Sequence, residues 1–168
     1  MPRLTLYQHP HDACPSTVSA RGLLVTPPSI CPYSYRPLLA ARGSYFELVD
    51  EDGDKVVEPC GSVIEYSGRR LLLLCREPLL DEKCIDVDAV VVTVRHWARP
   101  GRALQEARRL AARLMSLSWL CNAPVLFVNV WGFTRSRAYT GYTGVYDYER
   151  STPLHLGVEG DGRVPVYL

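Results

Sequence analysis

Four histidines (His9, His11, His96, His155), six cysteines and a few carboxylates on predicted strands are the groups in this sequence whose chemistry could support catalysis. Covalent hydrolysis needs a Ser or Cys beside a His. No G-x-S-x-G elbow occurs, and the four histidines stand in unrelated sequence contexts. A metal-dependent nuclease needs two or three carboxylates converging at strand ends. The predicted strands offer Glu65 and Asp88, with no Glu-x-Lys to follow. The cysteines Cys14, Cys31, Cys60, Cys75, Cys84 and Cys121 lie far apart, without a C-x-x-C pair or a Cys/His doublet of zinc-site spacing. No G-x-x-x-x-G-K phosphate loop is present. The expectation is a chain without a complete catalytic site of its own, with no cofactor and no metal.

Composition bounds the rest. A chain of 168 residues that is 47% hydrophobic can bury a sizeable core. The net charge of +1 means that nucleic-acid binding would depend on a local patch or a partner. No run of eighteen or more apolar residues and no basic start followed by an apolar block occurs, so the expected location is cytoplasmic, with no membrane contact. Lysine is confined to Lys55 and Lys83, and amides to Gln8, Gln105, Asn122 and Asn129. Scarce amides suit a heat-adapted protein, and a thermophilic archaeon is the expected source; a GC-rich genome would give the same bias toward Arg. In such a cell the cysteines could form one or two bridges or stay buried as thiols.

The elements that would position these groups follow from periodicity and turn signals. The first twenty residues are polar and proline-bearing, which predicts an irregular arm. Gly22–Thr26 reads as a strand, and Ser29 could cap a short helix toward Ala41. Two hairpins follow, one turning at Glu51-Asp52-Gly53-Asp54 and one at Ser67-Gly68. The β-branched run VDAVVVTVR (87–95) predicts a strand. A helix from about Pro100 to Leu120 follows, with Ala103, Ala107, Leu110, Leu114 and Leu117 on one face and Arg102, Glu106, Arg109 and Arg113 on the other. Pro124–Trp131 is a further strand. Arg109 and Arg113 on the polar helix face, and Arg135, Arg137, Tyr139 and Tyr142 in the Tyr- and Arg-rich segment 132–150, are candidates for RNA or partner contact.

Three stretches carry a family resemblance. The helix with Arg109-Leu110-Ala111, the LHLGVEGDGRVPVYL ending (154–168), and GLLV with LLAARGSYFEL near the start together resemble the archaeal tRNA-splicing endonucleases. That resemblance implies tetramers in which a catalytic subunit pairs with a shorter structural one through edge strands and an inserted acidic loop. Glu159 and Asp161 match the loop; Val164, Val166, Tyr167 and Leu168 match the interface strand. The family cleaves RNA with a Tyr, a His and a Lys. Here Arg113–Trp119 carries no Lys where the family has one, and no His opens the VDAVVVTV strand. Gly61–Trp97 also resembles metallo-β-lactamase-fold proteins, without their H-x-H-x-D-H ligands.

The resulting expectation is an α/β (α+β) protein: a mixed sheet covered by one long helix, with a small N-terminal α/β lobe. Its divisions would be an arm (1–20), the lobe (21–80) and an endonuclease-like domain (81–168) with an inserted Tyr/Arg-rich segment. Its function would be that of a noncatalytic, structural subunit of a tRNA-splicing endonuclease. Its partners would be the catalytic subunit, two of each in a hetero-oligomer, and precursor tRNA. The rival expectations are a degenerate metal-dependent nuclease using Glu65 and Asp88, and a protein-binding adaptor.

Overall fold

The computed structural model describes residues 3–78, 84, 86–150 and 152–168. In chain order the first strands are β1 (Arg3–Gln8), β2 (Leu23–Thr26), β3 (Leu38–Ala41), β4 (Tyr45–Val49) and β5 (Lys55–Pro59). Then come β6 (Val63–Tyr66), β7 (Arg69–Leu74), β8 (Ala89–Thr93) and β9 (Trp97–Ala98). The helix α1 (Ala103–Cys121) precedes β10 (Val125–Val128), β11 (Trp131–Phe133), β12 (Ala138–Thr140), β13 (Gly144–Tyr146), β14 (Leu154–His155) and β15 (Gly162–Tyr167).

Two six-stranded sheets form, ordered β15-β1-β2-β3-β4-β5 and β14-β13-β10-β8-β7-β6, with a small third sheet β11-β12-β9. Alternation along each strand decides which side chains go between the large sheets. Leu4, Leu6, Leu23, Val25, Leu39 and Phe46 of the first meet Ile64, Leu71, Leu73, Val91, Leu126 and Val128 of the second in one apolar layer. Strands such as β8 (AVVVT) are buried on both faces, which is why they read as unbroken apolar runs.

The outer face of the second sheet is covered by α1, whose Ala107, Leu110, Leu114 and Leu117 pack on Leu72, Val90, Val92 and Phe127. Asn122 ends the helix in the left-handed region (φ 49°), and its N–H returns to Trp119 O. The outer face of the first sheet has no helix on it. Irregular chain covers it instead, with Cys31 and Tyr33 over Leu24, Leu38, Ala40 and Val49.

Both hairpins form as their turn residues predict, β4–β5 and β6–β7. The fold class differs from the expectation. Instead of a mixed sheet under one long helix, two large sheets pack face to face and the 19-residue helix covers only one of them. No separate N-terminal α/β lobe forms, because β1 to β5 share a sheet with the C-terminal β15. Residues 38–41, expected at the end of a helix, form β3, since both faces of LLAA are buried between β2 and β4. Arg3–Gln8, expected in an irregular arm, is a strand because β2 and β15 pair with it on either side.

Three disulfides form, Cys14–Cys31, Cys60–Cys75 and Cys84–Cys121, and no cysteine among the described residues is free. The first holds the irregular cover together, the second joins the β5–β6 corner to the end of β7, and the third fixes the helix C-terminus. Among the described residues no helix is long and apolar enough to cross a membrane. Lys83, one of the two lysines weighed in the sequence, lies outside the described residues.

Candidate functional site

Parallel strands aim their carboxyl ends at a common edge, and open α/β sheets bind ligands beyond those ends. Here β1 and β2 run parallel in one sheet, and β7, β8 and β10 run parallel in the other. Their carboxyl ends meet at the same end of the sandwich. His11 N donates to Trp131 O (2.8 Å) and Trp131 N to His9 O (3.2 Å), joining the chain after β1 to the start of β11. Arg95, two residues past β8, donates to Pro28 O and to His11 O, each at 3.2 Å. Its guanidinium lies 5.1 Å from the Tyr139 ring centroid, and His11 also stacks on that ring at 4.7 Å.

Asn129 is the buried organiser of this end. Its Oδ1 accepts from His96 N (3.1 Å) and Val130 N (2.8 Å), and its Nδ2 donates to Thr140 Oγ1 (3.0 Å) and Gly141 O (3.1 Å). Thr140 Oγ1 lies 2.8 Å from His96 Nδ1 and donates to His96 O at 3.3 Å. A Thr140 hydrogen directed at that carbonyl puts the ring proton on Nδ1 and the lone pair on Nε2, and one directed at Nδ1 reverses the two. His96 Nε2 is 4.0 Å from Glu77 Oε2.

Glu77, His96, Trp97, Glu106 and Arg109 line a cleft of about 400 Å³ above the ends of β7 and β8. Glu77 also pairs with Arg109 (3.1 Å) and Arg113 (3.6 Å), so its charge is shared among cations. Burial lowers the pKa of His96, with Glu77 opposing in part, so the ring is neutral at pH 7. The hydrogen bonds that Arg109 donates to Glu77 and Glu106 raise its pKa.

A second polar chain lies under the irregular cover. His9 Nε2 bonds the Tyr33 hydroxyl (2.8 Å), which bonds Ser29 Oγ (2.8 Å). Burial lowers the pKa of His9 too. Thr93, the last residue of β8, is buried, and its hydroxyl has no hydrogen-bond partner among the described residues.

This arrangement supplies a neutral imidazole, a carboxylate held by cations, and a cationic and aromatic rim. A sulfur nucleophile is missing, because all the described cysteines are bonded in pairs. No group of three His, Cys, Asp or Glu among the described residues is placed to hold a metal ion. Asp88 precedes β8 at the opposite end of the strand, where it accepts from Arg70 N and pairs with Arg69, and Glu65 sits on the edge strand β6. The pair weighed as a nuclease site is therefore not part of this cleft.

The other expected site residues scatter. Arg109 lines the cleft, and both it and Arg113 pair with Glu77. Arg137 packs over Trp97 at 4.3 Å, while Arg135 is exposed. Tyr139 and Tyr142 are buried, Tyr142 stacking on His155 at 4.1 Å. Asp161 accepts from Trp131 Nε1 (2.6 Å), so the acidic loop turns back onto its own chain, whereas Glu159 is exposed. Val164 and Val166 are core residues between the sheets, Leu168 packs against that core, and Tyr167 is exposed. Sequence reasoning missed the convergence of His9, His96 and Asn129. The available signal was that His96 follows and Asn129 lies within a predicted strand, whereas His9 falls in residues expected to be irregular.

No protein-family model matches the sequence, and no curated protein matches it. Solved structures match its fold. An amidase of the nitrilase superfamily from Nesterenkonia superposes over 99% of this chain and 90% of its own with a TM-score of 0.70 at 18% identity. A form of that amidase with acrylamide added at its active-site cysteine gives 0.66 at 17% identity, over 100% and 93%. A CN-hydrolase superfamily protein of Xanthomonas campestris with an arsenic adduct in its active site gives 0.60 at 12%, over 99% and 90%.

These likenesses overturn the tRNA-splicing assignment, and with it the structural-subunit role, the catalytic partner, the hetero-oligomer and precursor tRNA. The motifs behind it were a strand, a helix and a terminal strand with an acidic loop, an order that the amidase fold also accommodates. The terminal strand that was to extend a partner's sheet pairs with β1 of its own chain. The degenerate nuclease and adaptor readings gain no support from the comparisons.

Proposed function

We propose that this chain binds a small amide or carboxylic acid in the cleft above β7 and β8, using the amidase fold without a cysteine nucleophile. One observation carries the reading. The cleft holds the neutral His96, its Nε2 4.0 Å from Glu77 Oε2, while every described cysteine is committed to a disulfide. The size of the cleft suits a small molecule. Its cations already hold one carboxylate, that of Glu77, as they would hold a ligand's. Activity in the cytoplasm is part of the proposal, since cytosols of hyperthermophiles sustain disulfides.

A second reading rests on the tautomer of His96 with its lone pair on Nε2. A neutral imidazole in this open cleft can take a proton from water, and general-base assistance of that kind contributes roughly 10²–10⁴ in rate. Slow hydrolysis of the bound amide would follow without a covalent intermediate.

Incubation with acrylamide and with butyramide separates the readings. Calorimetric binding without release of ammonia, and no gain in protein mass with acrylamide, is the expected result. Ammonia release that vanishes in His96→Gln would favour the second reading. A covalent acrylamide adduct on the unreduced protein would sink both.

A further inference from the structure

We infer that the outer face of the first sheet carries a separate pocket for a small organic phosphate with a flat ring, such as a nucleoside monophosphate. The pocket lies over β1 and β15, far from the strand-end cleft in the fold, with a volume of about 410 Å³. The antiparallel register sets Arg3 opposite Tyr167 and Tyr7 opposite Arg163. Arg3 and Arg163 therefore mark two ends of one strand pair, about 13 Å apart at the usual rise per residue. Both belong to the face turned away from the Leu4, Leu6, Val164 and Val166 core.

A third arginine comes from the chain that leads into β2. Arg21 is clamped to β1 by two bonds: its N–H donates to Thr5 Oγ1 (3.2 Å), and the Thr5 hydroxyl donates to Arg21 O (2.8 Å). Gly22 makes the approach feasible. Its φ is +72°, and a Cβ there would stand 2.0 Å from Arg3 O, so any larger residue would push the segment off the strand. Arg163 Nη1 donates to Ser19 O and ties down the same segment. The pocket wall is thus built by the fold.

The electrostatics select the occupant. Arg3, Arg21 and Arg163 line the pocket, no carboxylate does, and none of the three joins an ion pair among the described residues. Arg42, Arg69, Arg109 and Arg113, by contrast, pair with acids of their own chain. Three arginines along one pocket wall, none with an ion-pair partner among the described residues, suit the several oxygens of a phosphate group, which Arg engages through paired N–H donors. The Arg3 guanidinium lies 5.2 Å from the centroid of the half-exposed Tyr167 ring, which presents a flat surface for a base beside the phosphate. The net charge of only +1 argues against a long polyanion held by a bulk field.

The test is calorimetric titration of the full chain at low salt with adenosine monophosphate, inorganic phosphate and adenosine. Saturable binding of the nucleotide, tighter than either part alone, is expected, and Arg21→Gln should weaken it by about tenfold, the scale of one charge-assisted bond. Arg163→Gln should act likewise, with a thermal melt to confirm folding, while Arg135→Gln serves as a control that leaves binding unchanged. No saturable binding, equal binding of adenosine, indifference to Arg21→Gln, or tighter binding of a short single-stranded oligonucleotide would each overturn the inference.

Discussion

The Thr140 hydroxyl stands 2.8 Å from Nδ1 of His96, a residue 44 positions earlier in the chain, and so decides which ring nitrogen faces the cleft. The same oxygen accepts from Asn129 Nδ2. One hydroxyl therefore couples the end of β12 to the loops after β8 and β10.

Thr140→Val keeps the shape and removes that oxygen. Asn129 Nδ2 and His96 Nδ1 both lose a buried partner, and the expected loss of stability is about 1–3 kcal/mol by denaturant unfolding. Nitrogen NMR should show a single neutral tautomer of His96 in the parent and a mixed tautomer in the variant. A mixed tautomer in the parent would contradict that coupling.

Acid should weaken the fold through His9 and His96. Both have pKa values lowered by burial from the ordinary 6.5, so between the two values the unfolded chain binds protons that the folded chain refuses. Their contribution is complete above about pH 6.5 and is lost as pH falls through the lowered folded values. Unfolding measured at about pH 8 and about pH 5 should show a smaller pH dependence in the double variant His9→Gln/His96→Gln than in the parent. An unchanged difference would show that neither ring is buried in its neutral form.

Reduction should cost more stability than any single core substitution. The bridges close loops of sequence separation 17, 15 and 37, and chain entropy assigns about 3 kcal/mol or a little more to each. A melt with and without a dithiol reductant should show a drop of many degrees, and thiol counting should give six reactive groups only after denaturation in reductant. Six thiols titrating in the untreated protein would refute the pairing.

Thr93→Val should stabilise. The Thr93 hydroxyl is buried without a partner among the described residues, so replacing it by a methyl group relieves a penalty of about 1 kcal/mol or more at nearly constant volume. A destabilised variant in a thermal melt would mean that the hydroxyl is in fact satisfied.

The local elements were largely legible in the sequence. The helix face of Ala107, Leu110, Leu114 and Leu117, both hairpins, and the β8 and β10 strands follow from periodicity and turn residues read over a few positions. β3 and β1 were not. LLAA after Pro37 carries no alternation to distinguish it from a helix end, and RLTLYQ owes its state to partners 15 or more residues away. The Tyr-rich segment looked like a surface insertion, because composition does not reveal that Tyr139, Tyr142 and Tyr146 are buried.

The sequence by itself determined the helix, both hairpins and the strands β8 and β10. Those elements depend on side-chain period, on backbone preferences and on residue types, all of which are local. Only the tertiary structure decided that the second half builds a sheet to face the first, that six distant cysteines pair, and that His96, Thr140, Asn129 and Glu77 meet at one edge. These outcomes depend on which faces bury each other across separations of tens of residues, and pairwise burial of that kind has no signature in local spacing.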